Sequence, residues 1–307
     1  MTTQYNHAHE NVLIRRVNQR QLLWAIGLSI GMMIFEIAGG IWTQSLALLS
    51  DAFHMFTHIF ALGVSLIAVR LTEKPATFEK TFGYHRAETL AAVINGTFLI
   101  FVTIFIIYEA LKRFIIVHDI AEIRMVIIAS TGLVVNLITA GILMRADREN
   151  LNIRGAFLHM IGDTASSIAI IIGGGIIYFT HWYYLDPIMS IIIALVIVYW
   201  AFGLLRDAMH VLMQGSPKHL NVPDIDQCLR VKFLDIRGIH DIHVWELAQR
   251  MYIFSAHIVI NDRMLSTAEK MGERMSEMLQ EKFDITHTNF QFETGNSEIC
   301  HCHFQTM

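Results

Sequence analysis

The stretch LALLSDAFHMFTHIFALGVSLIAV, from Leu46 to Val69, decides how this chain is to be read. It is long enough for a helix to cross the apolar core of a bilayer, which takes about 20 mostly apolar residues. Yet it holds Asp51, His54 and His58. A carboxylate at the centre of a membrane helix costs on the order of 3 kcal/mol, so such groups are rare unless they face a polar cavity or a partner. His54 and His58 are four apart, which places them on one helix face about a turn from each other.

Outward from this span the same texture recurs. Apolar runs extend from about Leu22 to Trp42, Leu90 to Ala110, Met125 to Met144, Gly155 to Phe179 and Ile188 to Leu205, so six membrane helices are expected. The fifth is interrupted by His159 and Asp163. Of the 307 residues 54% are hydrophobic and 16% charged, against about 25% charged in an ordinary soluble protein. This excludes a soluble globular enzyme, a disordered chain and a disulfide scaffold, for which Cys228, Cys300 and Cys302 are also too few. A net charge of −4 without a basic stripe argues against a nucleic-acid partner. The polar segment before the first span has no signal-peptide pattern, so that span is expected to act as its own insertion signal.

Six spans put both termini on one side. Arg15, Arg16, Arg20, Arg70, Lys74, Lys80, Arg86, Arg145, Arg148, Arg154, Arg206 and Lys218 flank the spans on that side, against Lys112, Arg113 and Arg124 on the other. Positive charge collects on the cytoplasmic face, so both termini are expected there. After Gly215 charges return and the apolar runs shorten. Val222 to Leu234 reads as a helix, with a turn at Arg237-Gly238. Ile239 to Leu247 and Met251 to Ile260 alternate like strands, Ser266 to Phe283 has helical periodicity, and Thr286 to Glu293 is a third strand. The expected organisation is an N-terminal segment 1–20 holding His7 and His9, a six-helix membrane domain 21–215, a soluble αββαβ α+β domain 216–296, and a Cys/His tail 297–307.

The second intramembrane pair, His159 and Asp163, has the same four-residue spacing as the first. Facing each other, the two pairs supply four ligands at one depth. Imidazole nitrogens and one carboxylate around a small tetrahedral centre suit Zn²⁺, with Co²⁺ and other divalent first-row metals as alternatives. A lone intramembrane His often only hydrogen-bonds a neighbouring helix, and a single H-x-x-x-H arises by chance. Two such pairs on two spans are hard to explain as packing. Asp51, one turn before His54, has two readings: it orients a ligand or relays protons, or it is a polar helix end in water. Glu36 and Asn136 are expected to make hydrogen bonds between helices. His must be neutral and Asp ionised to bind metal, so protons compete with the metal at the same atoms, and a bundle exposing the site alternately converts that competition into exchange.

The spacing excludes some classes. An intramembrane metalloprotease needs a base beside its metal, as in H-E-x-x-H, and the chain has none. A passive channel needs a polar lining, but spans three, four and six carry almost no ionisable residues. The chain therefore reads as no enzyme, and the rival class is a membrane-bound metal sensor. In the soluble domain, His243 is separated from His240 by an odd number of strand positions and is expected on the opposite face.

SLALLSDAFHM at Ser45 to Met55, FGYHRAE at Phe82 to Glu88, HMIGD at His159 to Asp163, DP at Asp186-Pro187 and HDIHVW at His240 to Trp245 together resemble the cation diffusion facilitator family of divalent-metal transporters. The likeness spans nearly the whole chain and is closest to the zinc-transporting branch. It implies six helices followed by a cytoplasmic ferredoxin- or metallochaperone-like domain, a homodimer, and Zn²⁺ efflux by proton-coupled antiport, with Co²⁺, Cd²⁺ or another divalent metal as the alternative cargo. It assigns His54, His58, His159 and Asp163 as transport ligands. Two departures stand out. The family's second span usually reads H-x-x-x-D or D-x-x-x-D, so His58 stands where an Asp is expected and the site carries one less negative charge. The loop between spans four and five is short and lacks the His-rich insertion of many eukaryotic members, which leans toward a bacterial inner-membrane protein. The resemblance also implies a cytoplasmic Zn²⁺ site of His240, His257 and Glu293. A second site would combine His287 with Cys300 and Cys302, next to His301 and His303, and His7 or His9 would join it across the dimer.

Overall fold

Helix α1 (Ile26–Thr43) ends in a tight reversal into α2 (Leu46–Thr72). Gln44 takes a left-handed φ of 58°, and Ser45 N–H donates back to Gly40 O at 3.1 Å. Helices α3 (Arg86–Ile115), α4 (Glu122–Met144), α5 (Leu151–Thr180) and α6 (Leu185–Leu212) follow, and among the described residues these 6 are long and apolar enough to cross a membrane. The computed structural model describes residues 24, 26–116, 119–144, 151–248 and 251–294, with 143 and 151–160 described by their backbone. The chain divides into two compact units, Met1–Gly63 with Asn95–Gly203, and Val64–Ile94 with Leu204–Met307.

The helices overrun the expected apolar runs because their ends are polar. Helix α3 takes in Arg86 and Glu88 at its start and Lys112 and Arg113 at its end. Helix α6 begins ahead of Pro187, since a proline in the first turn sacrifices no intrahelical hydrogen bond. In the first unit, Ala47 and Leu48 of α2 pack with Met125 and Ile128 of α4 and with Ile170 and Ile177 of α5. Met32 and Met33 of α1 pack on Met55 of α2. Large apolar side chains such as Ile34, Leu62, Ile104, Leu137 and Ile172 point outward, the surface that a hydrocarbon solvent accepts and water does not.

The start of α2 is pinned by a residue far along the chain. Buried Asp186, in the first turn of α6, accepts hydrogen bonds from Ser45 Oγ at 2.6 Å, Leu46 N–H at 2.7 Å and Ala47 N–H at 3.1 Å. Ser45 Oγ in turn accepts from Leu48 N–H at 3.2 Å. The first turn of a helix has N–H groups without intrahelical acceptors, and a carboxylate there satisfies them and complements the helix dipole. Arg113 at the end of α3 closes the cluster, donating to Asp186 Oδ2 at 3.2 Å and to Gln44 O.

In the second unit the order is α7 (Val222–Lys232), β1 (Ile236–Ala248), β2 (Met251–Ile260), α8 (Leu265–Phe283) and β3 (Ile285–Thr294), the αββαβ pattern expected. The sheet order is β1-β2-β3, with β1 and β2 antiparallel and β2 and β3 parallel. A parallel pair needs a crossover, which α8 provides. On β2, Phe254, Ala256, Ile258 and Ile260 face a core shared with Ile225 and Leu229 of α7 and Met275 and Leu279 of α8. Successive strand residues alternate faces, so Ser255, His257 and Val259 stand on the face opposite the helices. The turn expected at Arg237-Gly238 is corrected: both lie inside β1, where the register shifts between Ile236 and Gly238. The glycine marks a bulge within the strand, while the chain reverses just before it.

Candidate metal centres

The membrane pair on α2 converges as its spacing requires. The rings of His54 and His58 stand perpendicular with centroids 4.6 Å apart, and their Nε2 atoms are 3.2 Å from each other. Two nitrogens bound 2.0–2.1 Å from a tetrahedral Zn²⁺ are separated by about 3.3 Å, so the pair already forms one edge of such a site. A hydrogen bond between one ring N–H and the other nitrogen gives the same separation.

On α5, Asp163 is buried, at 1% exposure. His159 sits one turn earlier on the same helix, in the stretch described by its backbone. The two helices are clasped at this level. Ser166 Oγ lies 2.6 Å from Asp51 Oδ1 and 2.9 Å from Asp163 O, sharing its single proton between them. The α2 turn holding Asp51 and His54 is thereby set beside the α5 turn holding Asp163. Asp51 is itself 1% exposed, so of its two readings the helix end in water falls away. Ser166 carried no signal in the sequence, since a serine in a membrane helix is unremarkable until its neighbour is known. Asn136 makes the expected inter-helix hydrogen bond, Nδ2 to Ser167 Oγ at 3.4 Å. Glu36 lies toward Gly132 of α4, and its Oε2 has no hydrogen-bond partner among the described residues, so the inter-helix bond expected of it is not seen at that oxygen.

The second centre lies on the outer face of the sheet. His240 of β1 pairs across the ladder with His257 of β2, and their ring centroids are 5.1 Å apart. Glu293 of β3 reaches both: Oε2 is 3.0 Å from His240 Nε2 and Oε1 is 2.8 Å from His257 Nδ1. One ligand atom from each of the three lies within 4.8 Å of the others. Two imidazoles and a carboxylate at this spacing match the nitrogen and oxygen donor set of a zinc site. Burial pushes the Glu293 carboxyl up, but hydrogen bonds from His240 and Gln291 and the nearby imidazole charges outweigh it and hold the group below its ordinary range.

His287 is not brought to this cluster. It lies six positions before Glu293 on β3, about 20 Å along an extended strand, with its ring 5.9 Å from that of Phe82. Its expected companions Cys300 and Cys302, along with His301, His303, His7 and His9, lie outside the described residues. The argument that turned His243 to the opposite face is corrected. The register runs His240↔His257 and then His243↔Ser255, three steps on β1 against two on β2. One extra residue in β1 restores the parity, and His243 returns to the face of His240. That extra residue brings in Asp241, which sequence periodicity did not single out. Its φ is 52°, its Oδ1 lies 3.0 Å from His243 Nε2, and its Oδ2 lies 3.6 Å from His257 Nε2.

Comparison with known proteins gives concordant matches. Residues 22–213 match the cation efflux transmembrane domain, and residues 217–294 match the cytoplasmic domain of cation efflux proteins. The chain is 41% identical over 280 residues to the cadmium, cobalt and zinc/H(+)-K(+) antiporter of Bacillus subtilis, covering 90% of this chain and 89% of that protein. It is 34% identical over 305 residues to the zinc transporter ZitB of Pectobacterium atrosepticum, covering 98% and 92%. Among solved structures, the metal-bound C-terminal domain of the CzcD transporter from Cuprividus metallidurans is 27% identical, covers 24% of this chain and 99% of that one, and has a TM-score of 0.22.

Proposed function

Because the chain belongs to the cation diffusion facilitator family of cation efflux proteins, transporters and not enzymes, we propose that it carries Zn²⁺ out of the cytoplasm in exchange for protons. His54, His58, His159 and Asp163 form the transport site. The observation that carries this reading is the convergence of His54 and His58 Nε2 at 3.2 Å, on a helix whose Asp51 is clasped to the turn of Asp163. The relatives' names support divalent-metal efflux, with zinc, cadmium and cobalt named for the Bacillus protein and zinc for the Pectobacterium one.

The exchange follows from ligand chemistry. Imidazole binds metal only when neutral, and an unperturbed imidazole titrates near pH 6.5. On the side where protons are scarce, the ligands are free to take the cation. On the acidic side protons compete for the same nitrogens and for Asp163, and the cation leaves. With both termini cytoplasmic, as the basic flanks argue, the αββαβ domain 216–296 hangs on the side from which metal is taken. There His240, His257 and Glu293 hold a resident or regulatory Zn²⁺, whose chemistry is to neutralise and tie together three strands. His287, Cys300 and Cys302 form a second such site. The match to a dimerising cytoplasmic domain supports a homodimer, the bacterial relatives support an inner membrane, and the match over residues 22–213 supports a membrane domain at 21–215.

Purified protein in liposomes with an imposed pH gradient provides the test. Zinc flux and proton flux should be mutually dependent, and both should be abolished by His159→Ala. Zinc flux unchanged in that variant would sink the site assignment, and zinc flux without proton movement would sink the antiport.

A further inference from the structure

Across the outer face of the sheet, imidazole and carboxylate alternate through five side chains: His240, Glu293, His257, Asp241 and His243. Successive partners lie 3.0, 2.8, 3.6 and 3.0 Å apart. The first three are the ligand set proposed above, and the last two have no part in it. Asp241 occupies the extra position of the β1 bulge, with a left-handed backbone. Bulges re-aim side chains, and Asp is among the few residues that tolerate this conformation. The consequence is that the two nitrogens of His257 look at different carboxylates, Nδ1 at Glu293 and Nε2 at Asp241.

A histidine that binds metal through one nitrogen gives its other N–H to a carboxylate, carbonyl or water. This partner sets the tautomer and the ring orientation and raises the basicity of the ligating nitrogen. We propose that Asp241 is the positioning residue of this metal centre. It accepts the Nε2–H of His257 and so presents the Nδ1 lone pair beside Glu293 and His240. The present 3.6 Å separation closes to hydrogen-bond length with a shift of about half an ångström. His243 holds the other carboxylate oxygen from the solvent side and keeps Asp241 turned toward His257. The inference rests on reading His240, His257 and Glu293 as a metal centre.

Two substitutions separate this role from upkeep of the bulge. Asp241→Gly keeps a residue at ease with positive φ and removes the carboxylate. Asp241→Asn keeps the shape and an oxygen acceptor but removes the charge. Both are made in the full-length protein in nanodiscs, on a parent carrying Asp163→Ala, Cys300→Ser and Cys302→Ser, which silences the membrane and tail sites. Co²⁺ absorption titrations with Zn²⁺ competition read the affinity, and ¹⁵N-histidine NMR of the Zn²⁺-loaded protein reads the His257 Nε2–H. Asp241→Gly should weaken binding about 10- to 100-fold and shift the His257 Nε2–H resonance away from its hydrogen-bonded position, with Asp241→Asn between it and the parent. Parent-like affinity and Nε2–H resonance in Asp241→Gly overturn the role of Asp241 alone. A parent that binds no Co²⁺, or whose affinity is indifferent to His240→Ala, overturns the metal centre and this inference with it.

Discussion

Replacing Asp186 by Ala should destabilise the membrane unit more than any other single change at the α1–α2 turn. The carboxylate is fully buried, and its partner Arg113 has a side-chain exposure of 15%. Truncation leaves the Leu46 and Ala47 N–H groups, bound at 2.7 and 3.1 Å, without acceptors in the first turn of α2. Each orphaned buried donor costs about 1–3 kcal/mol, and stranding one member of a buried ion pair costs about 3–5 kcal/mol. These losses share one carboxylate and do not add in full, so about 3–5 kcal/mol is expected for the whole. At about 2–4 °C per kcal/mol for a unit of this size, the melting temperature of the purified protein in detergent should fall by roughly 6–20 °C. Asp186→Asn, which keeps the shape and one oxygen acceptor, should lose about half as much. Adding Arg113→Met to Asp186→Ala should recover part of the loss, because no charge then stays buried without a partner. A melting temperature for Asp186→Ala within about 2 °C of wild type would refute the view that α6 holds the head of the site helix.

Two further outcomes follow from the proposed metal centres. Glu293 is held below its ordinary range in the folded, metal-free protein. Its stabilising contribution is therefore full above the unfolded value of about 4.3 and is lost as pH falls through the lower folded value. The stability difference between wild type and Glu293→Gln should narrow from about pH 5 to about pH 3 in metal-free thermal melts, and a constant difference would count against the hydrogen bonds assigned to it. At the transport site proposed here, His58→Asp adds a charged oxygen donor beside His54. Competition among Zn²⁺, Cd²⁺ and Co²⁺ in liposomes should show an altered order or spacing of affinities, since harder and softer cations weigh oxygen against nitrogen differently; unaltered selectivity removes the importance given to His58.

Much of the molecule was legible before its structure, where the signal is carried by residues near one another in the chain. The apolar runs foretold six membrane-length helices, the change of texture after Gly215 foretold the αββαβ order, and four-residue spacing foretold that His54 and His58 share a face and meet. Hydropathy and periodicity are local properties, and a regular helix or strand converts them directly into position. The same rule misplaced His243, because period-two alternation holds only while the ladder is regular, and the bulge at Asp241 advances one strand against its partner. Likewise Arg237-Gly238 reads locally as a turn and becomes a bulge once β2 lies alongside.

What only the tertiary structure decided is who faces whom. Asp186 caps a helix that begins 140 residues earlier, Ser166 clasps Asp51 across 115 residues, and Glu293 reaches His240 across 53. None of these pairs has a spacing that marks it, because a hydrogen bond between distant segments depends on the packing of everything between them. The sequence by itself determined that this chain crosses a membrane and that its histidines and carboxylates come in ligand-like sets. The fold decided which buried carboxylates tie helices together and which side chains stand close enough to share a metal ion, since only packing excludes the water that would otherwise bind each of them alone.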